Sequence, residues 1–257
     1  MADPTPKSPR ESIADYPDYP NKRKHFIPLE NNPEVFSHLI QCLGISPSLG
    51  FHDIYSIDDP SLLSFIPRPA YALLFICPSE VYYRARANEP QFPDYNGSGS
   101  DEPVVWYKQT IGNACGLIGL LHGISNGKAR NFITPGSDID TLIKDAILLK
   151  PQPRADLLYN SSTLESAHAS AAVRGDTVAP DAEPSPELHY ICFAKGADGH
   201  LYELEGGWNG PIDRGQLEEH EDMLSERALS LGVKLLMEKA GGNLNFSCVA
   251  LAPSFDS

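Results

Sequence analysis

The sequence predicts a mixed α/β (α+β) fold, and three observations carry that prediction. Short apolar runs bounded by turn residues, YALLFIC (71–77), HYICFA (189–194) and the end of NLNFSCVALAP (243–253), have the length of strands. Between them lie segments whose apolar residues recur at helical spacing. Lys195-Gly196-Ala197-Asp198-Gly199 separates two β-rich runs as a hairpin loop does. The chain has 257 residues, 41% hydrophobic and 21% charged, enough for one large domain or two small ones, and no internal repeat is visible.

Residues 1–24 hold five prolines and few apolar side chains, so they read as a disordered arm, with order expected near Phe26. A helix opens at Asn32-Pro33-Glu34. Asn32 is a natural N-cap, Pro33 suits the first position, and Gly44 ends the helix. Its apolar face is Val35, Leu39, Ile40 and Leu43, with Cys42 beside it as a packing residue. FHDIYSIDDPSLLSFIPRP (51–69) reads as strand, turn and short helix. YALLFIC, with Pro69 before it and Pro78 after, reads as a central strand, with Cys77 in the core.

Residues 88–103 are loop by composition, and helices are expected over 115–126 and 137–149. From Asn160 to Glu187 the pattern fails. Large apolar residues are few and three prolines lie near the end, as in a functional loop or a simple insertion. The hairpin around 195–199 follows, then a helix over roughly 216–240 and a last strand containing Cys248.

With 20 basic against 34 acidic residues, the formal charge is −14. That disfavours a nucleic-acid partner, which needs a basic footprint, and weakly favours a basic one. No run approaches the ~18 apolar residues of a membrane helix, so no membrane association is expected. The five cysteines are scattered, odd in number and without a CxxC pair, so neither a disulfide framework nor a metal site is expected. A reducing cytoplasm is the expected compartment, with the nucleus as a second.

The segment QTIGNACGLIGLLHG (109–123) passes from polar to apolar at Cys115. A cysteine in the first turn of a helix faces unpaired N–H groups and the positive end of the macrodipole, which favour a thiolate. The alternative is a core cysteine that begins a buried helix. A nucleophile also needs a base. His122 is seven residues on, about 10 Å away along a helix and too far to touch the sulfur. His189, at the start of the HYICFA strand, is better placed. If 195–199 form a five-residue loop, Ala194 faces His200 and His189 faces Glu205, a carboxylate that would orient the imidazole. Gln109 could donate to an oxyanion beside the Cys115 backbone N–H.

This set of residues resembles the ubiquitin C-terminal hydrolases. QTIGNACGLIGLLHG matches their nucleophile motif, and LHYICFAKGADGHLYELEGG their histidine strand and the strand carrying the third catalytic residue. FIPLENNPEVFSHLIQCLGI, IYSIDDPSLLSFIPRPAYALLFICP and RGDTVAP are similar to further segments, so the match runs from about Phe26 to Pro253. The resemblance implies a papain-like core, an antiparallel sheet flanked by helices, with a knotted backbone. It implies one catalytic domain over 25–257 with an active-site crossover loop over about 160–187. It assigns Cys115 as nucleophile, His189 as general base, Gln109 as oxyanion donor and Glu205 as third member, where aspartate is typical. One extra residue near Gly196-Ala197 accompanies that departure.

The implied substrate is a small adduct or peptide on the C-terminal glycine of ubiquitin, whose basic tail suits an acidic chain. A Nedd-type modifier is the second substrate candidate, and an inactive ubiquitin-binding module is the rival reading. Ubiquitin contacts are implied at Pro28, Leu29, Glu30, Asn31, Asn32 and Pro33, at Ser170, Arg174 and Asp176, and at Asn243, Leu244 and Phe246. No metal or cofactor is implied, and a monomer is expected.

Overall fold

The computed structural model describes residues 24–87, 89, 93–177, 188–240 and 245–255. Its centre is a six-stranded antiparallel sheet. In chain order the strands are β1 (Leu49–Asp53), β2 (Ala72–Pro78), β3 (Leu188–Lys195), β4 (His200–Leu204), β5 (Ile212–Gln216) and β6 (Ser247–Pro253), and they are arranged β1-β6-β2-β3-β4-β5. β2 lies between β6 and β3 and is buried from Ala72 to Cys77. Its unbroken apolar run follows from helices covering both faces of the sheet.

Residues alternate between those faces. Leu74, Ile76, Tyr190, Cys192 and Leu251 face α1 (Pro33–Leu43) and α4 (Cys115–Ser125). The same layer holds α5 (Asp138–Ile147), α6 (Pro151–Tyr159) and α7 (Ser162–Ala172). Phe75, Cys77, Ile191, Phe193 and Ala250 face α3 (Ser79–Arg86), α8 (Glu226–Leu231) and α9 (Val233–Glu238). The short α2 (Pro60–Leu63) lies between β1 and β2.

Several helix boundaries follow local chemistry. The Asn32 side chain accepts from Glu34 N and Pro33 sits in the first turn of α1. Gly44 closes that helix at φ +99°, where a Cβ would stand 2.4 Å from Ser137 Cβ. Ser137 caps α5 through Asp140 N.

Five sequence expectations need correction. Order begins by Lys24, whose backbone N and Nζ bond Tyr159 and whose ammonium pairs with Glu165 at 2.7 Å; the rest of the expected arm, 1–23, lies outside the described residues. The patternless stretch from Asn160 contains α7, capped by Ser161 and packed on α1. Its buried face is Leu164, Ala167, His168, Ala171 and Ala172, too small to give an apolar periodicity although alanine is the best helix former. Of the expected crossover loop, 173–177 are irregular and 178–187 lie outside the described residues.

The helix expected over 216–240 is instead the end of edge strand β5, a coil, and two short helices broken at Gly232, against which Phe193 packs so closely that a Cβ would meet its ring at 3.0 Å. Cys42 is exposed rather than packed, with its sulfur 3.3 Å from His38 Nε2. Finally, the hairpin register is two residues from the expected one. Cys192 pairs with Leu204 and Lys195 with Leu201, so Ala194 faces Tyr202 and not His200.

Candidate active site

Cys115 is the first residue of α4, and no side chain caps that helix. Its first-turn N–H groups are thus free of a cap and face the sulfur's end of the helix. The chain reaches this point through Asn113, which holds φ +56°, the left-handed region that asparagine tolerates better than most side chains. Gly112 precedes it and pairs with the N-terminal segment. Its N–H donates to Lys24 O, and its carbonyl accepts from Phe26 N. A Cβ at Gly112 would stand 2.1 Å from the His25 ring, so this close approach needs glycine. Cys115 is 9% exposed, at the edge of burial and open to a cavity of about 190 Å³.

His189 stands near the start of β3, paired across the sheet with Cys77. Its Nε2 lies 2.8 Å from Glu205 Oε1, with the two side chains 12% and 2% exposed. The expected partner is therefore the observed one, but not by direct opposition. In the observed register Glu205 sits two positions short of the residue facing His189, a diagonal that spans roughly 7–8 Å between neighbours on one face. The extra methylene of glutamate covers that span. The ring N–H is off the line to the oxygen, so the contact is an ion pair at hydrogen-bond distance rather than an aligned bond.

Burial alone would lower the His189 pKa. The Glu205 carboxylate and a hydrogen bond with Cys115 outweigh it and hold the imidazole well above its ordinary value. The tilted rings of Tyr82 and Tyr83, 5.8 and 6.0 Å away, flank it. Glu205 is itself fixed by Gly207 N, which donates to Oε1 at 2.7 Å, and by Trp106 Nε1, which donates to its backbone carbonyl at 3.0 Å.

Gln109 is held beside Glu205 through the backbone, with its N–H donating to Gly206 O at 2.7 Å. Gly206 permits this approach, since a Cβ there would lie 2.8 Å from Ile118 Cγ2 and 2.9 Å from Gln109 Cβ. The Gln109 side chain donates one Nε2 hydrogen to Ile111 O at 3.1 Å, and Oε1 is buried without a partner. The second Nε2 hydrogen is the one an oxyanion could receive.

Two further histidines and three further cysteines have structural surroundings. His122 is fully buried and accepts from Tyr107 N, and burial pushes its pKa down to about 3. His168 bonds Ile27 O at 2.7 Å and packs on Phe26, a core role its place in a featureless stretch did not suggest. Burial pushes the Cys77, Cys192 and Cys248 thiols up, keeping them protonated. No group of three or more His, Cys, Asp or Glu among the described residues could hold a metal ion.

Of the residues expected to touch ubiquitin, Pro28, Leu29 and Glu30 line the Cys115 cavity with Gly175, Thr177 and Tyr190. Glu30 accepts from Thr177 N and Oγ1 at 2.9 and 2.6 Å, and these bonds hold its carboxyl below the usual range. Pro33 opens α1, while Asn32 caps that helix and reaches Asp176 at 3.2 Å. Asn31 donates to Ser247. These bonds tie the segment before α1 to the residues after α7 and to β6. Ser170 lies apart, bonded to His38, and Arg174 is exposed. Phe246 stacks on Phe75 as packing, and Asn243 and Leu244 lie outside the described residues. The left-handed Asn113, the Trp106 anchor and the Glu30–Thr177 clasp were missed by sequence reasoning; only asparagine beside glycine signals the first.

Comparison with known proteins shows the family. The family described as ubiquitin carboxyl-terminal hydrolase, family 1, matches residues 26–238. Ubiquitin carboxyl-terminal hydrolase 3 of Arabidopsis thaliana is 36% identical over 230 residues, covering 89% of this chain and 94% of that protein. Ubiquitin carboxyl-terminal hydrolase YUH1 of Saccharomyces cerevisiae is 29% identical over 238 residues, covering 90% and 97%. Isozyme L1 of Homo sapiens is 31% identical over 224 residues, covering 87% and 96%.

The Trichinella spiralis UCH37 catalytic domain, solved with ubiquitin vinyl methyl ester, superposes with a TM-score of 0.67. It covers 89% of this chain and 95% of its own at 17% identity, a likeness of fold. The chain belongs to family 1 of the ubiquitin carboxyl-terminal hydrolases.

Proposed function

We propose that the chain hydrolyses the bond after the C-terminal glycine of ubiquitin, through an acyl-enzyme on Cys115. The observation that carries this reading is the pairing of His189 with Glu205 at 2.8 Å, with Cys115, at the uncapped start of α4, among the groups that raise the imidazole pKa. A raised imidazole pKa makes His189 the stronger base, which takes the Cys115 proton to give the attacking thiolate.

The thiolate adds to the scissile carbonyl. The Cys115 backbone N–H and the second Gln109 amide hydrogen receive the oxyanion. His189 then gives its proton to the leaving amine, and the C–N bond breaks to leave a thioester. Water, deprotonated by His189, adds to the thioester and releases the ubiquitin carboxylate and the thiol. Glu205 keeps the ring oriented and stabilises its charged form throughout.

Acceptance of the substrate tail fits the cavity at Cys115, where Glu30 and the nearby Asp176 provide negative charge for a basic chain. The Glu30–Thr177 bonds hold the start of the crossover segment beside that cavity, which favours small adducts and unfolded peptides as leaving groups. The test is turnover of C-terminal fluorogenic amides of ubiquitin and of a Nedd-type modifier. Cys115-dependent hydrolysis with ubiquitin preferred supports the reading; preference for the Nedd-type amide replaces the substrate, and no hydrolysis of either rejects it.

A further inference from the structure

Residues 105–109 form neither helix nor strand, yet their polar groups are gripped from three directions. The first grip comes from the end of α4. Asn126 accepts from Val105 N at 2.7 Å and donates to Val105 O at 2.9 Å. His122 accepts from Tyr107 N at 2.9 Å, and Ser125 Oγ meets the Tyr107 hydroxyl at 2.8 Å. The second comes from Arg154, fully buried, which donates to Trp106 O at 2.8 Å and pairs with Glu102 at 2.5 Å. The third is made to the turn after β4. Trp106 Nε1 donates to Glu205 O at 3.0 Å, and Gln109 N donates to Gly206 O at 2.7 Å.

These bonds make a bracket between the parts of the site. The helix at one end carries Cys115, the bracket itself carries Gln109, and the turn at its other end carries Glu205. Leu204 is the last residue of β4 and pairs with Cys192, so Glu205 stands just past the ladder. Its carbonyl is held by the buried Trp106 indole and by a longer bond from Trp208 N at 3.3 Å. Its side chain must cross a diagonal to reach His189, so a small shift of its backbone carries the carboxylate off the imidazole. A misplacement of about 1 Å can cost roughly a hundredfold in rate. Without the indole N–H, Trp208 N would be the remaining donor to that carbonyl among the described residues.

We propose that Trp106 is a positioning residue, whose indole N–H sets Glu205 against His189 and keeps that pair in place relative to the helix of Cys115. The inference rests on the hydrolase reading above. Trp106 acts through the Glu205 backbone and touches no reacting atom. Its loss therefore falls on kcat, and ubiquitin binding is left nearly intact.

Two replacements test it on a C-terminal fluorogenic amide of ubiquitin. Trp106→Phe removes the donor and part of the ring. Benzothienylalanine at the same position keeps the bicyclic shape, and hence the packing, with sulfur in place of the N–H. Each is expected to lower kcat roughly tenfold with KM within about twofold. The alkaline limb of kcat/KM should move to lower pH, the same direction as in Glu205→Gln. In a Glu205→Gln background the same replacement should lower kcat by less than about twofold, because the positioned group has already lost its charge. An unchanged kcat for the benzothienylalanine chain, or a limb that stays in place, overturns the proposal. An equal loss in both backgrounds also overturns it, since the indole would then support the fold alone. A parent chain that hydrolyses no ubiquitin amide overturns the hydrolase reading and the positioning role with it.

Discussion

His189 and Glu205 meet diagonally, 2.8 Å apart at their tips although their backbones are two positions out of register across β3 and β4. The longer side chain and the shifted register belong together. An aspartate at 205 would end about 1.5 Å short of the same contact.

Glutamate is therefore predicted to be the better residue here. Glu205→Gln should lower kcat roughly a hundredfold with KM nearly unchanged, because an oriented but uncharged partner no longer stabilises the imidazolium. Glu205→Asp should lower kcat roughly tenfold through lost reach. Steady-state kinetics on a ubiquitin amide decide this, and an aspartate variant as fast as the parent would refute the argument from register.

The same contact predicts a pH signature. The folded His189 pKa is raised, so its contribution to stability is complete below the ordinary imidazole value near 6.5. That contribution is lost as pH rises through the raised folded value. The stability difference between the parent chain and His189→Gln should shrink with rising pH over that window, measured by thermal melts. In activity, the alkaline limb of kcat/KM should move toward lower pH in Glu205→Gln. A limb that stays in place would mean that Glu205 does not set the charge state of His189.

Gly206 should not tolerate a side chain. An added methyl would collide with Ile118, the Gln109 side chain and the Tyr107 carbonyl, all within 2.9 Å. Gly206→Ala is predicted to cost about 1–3 kcal/mol and to reduce kcat more than KM by displacing Gln109. Denaturant melts and kinetics on one preparation separate the two effects; unchanged turnover in a destabilised variant would remove Gln109 from the mechanism.

Behind the site, Glu203 is 1% exposed and bonds Arg86, Arg214 and the Tyr82 hydroxyl. Glu203→Ala would leave the fully buried Arg86 guanidinium with Glu89 as its remaining anion among the described residues. A loss of about 3–5 kcal/mol is expected. A denaturant midpoint within error of the parent would show that this network is energetically idle.

Glu30 and Thr177 hold the residues after α7, where the crossover loop is expected to begin, against the segment before α1. Glu30→Ala should release them and raise the relative kcat/KM for bulky, folded leaving groups over small amides. An unchanged ratio of the two substrates would separate leaving-group size from this clasp.

The sequence was most legible where chemistry is local. Asn32, Pro33 and Gly44 marked α1 because caps act within a few residues, and the polar-to-apolar seam located Cys115 at a helix start. His189 and Glu205 emerged together because a two-residue slip in register keeps both on one face. The slip itself was hidden, since loop length alone does not fix the pairing. α7 was hidden because its buried face is alanine, and the break at Gly232 because it answers to Phe193, distant in sequence. The Trp106 anchor and the Arg86–Glu203 pair join residues about a hundred positions apart, beyond any local pattern.

Reaction with ubiquitin carrying a C-terminal electrophile tests the central claim most directly. One covalent adduct per chain is predicted, mapped to Cys115 by peptide mass spectrometry, lost in Cys115→Ala and slowed in His189→Gln. Ubiquitin that binds without forming the adduct, or an adduct on another cysteine, would contradict the account.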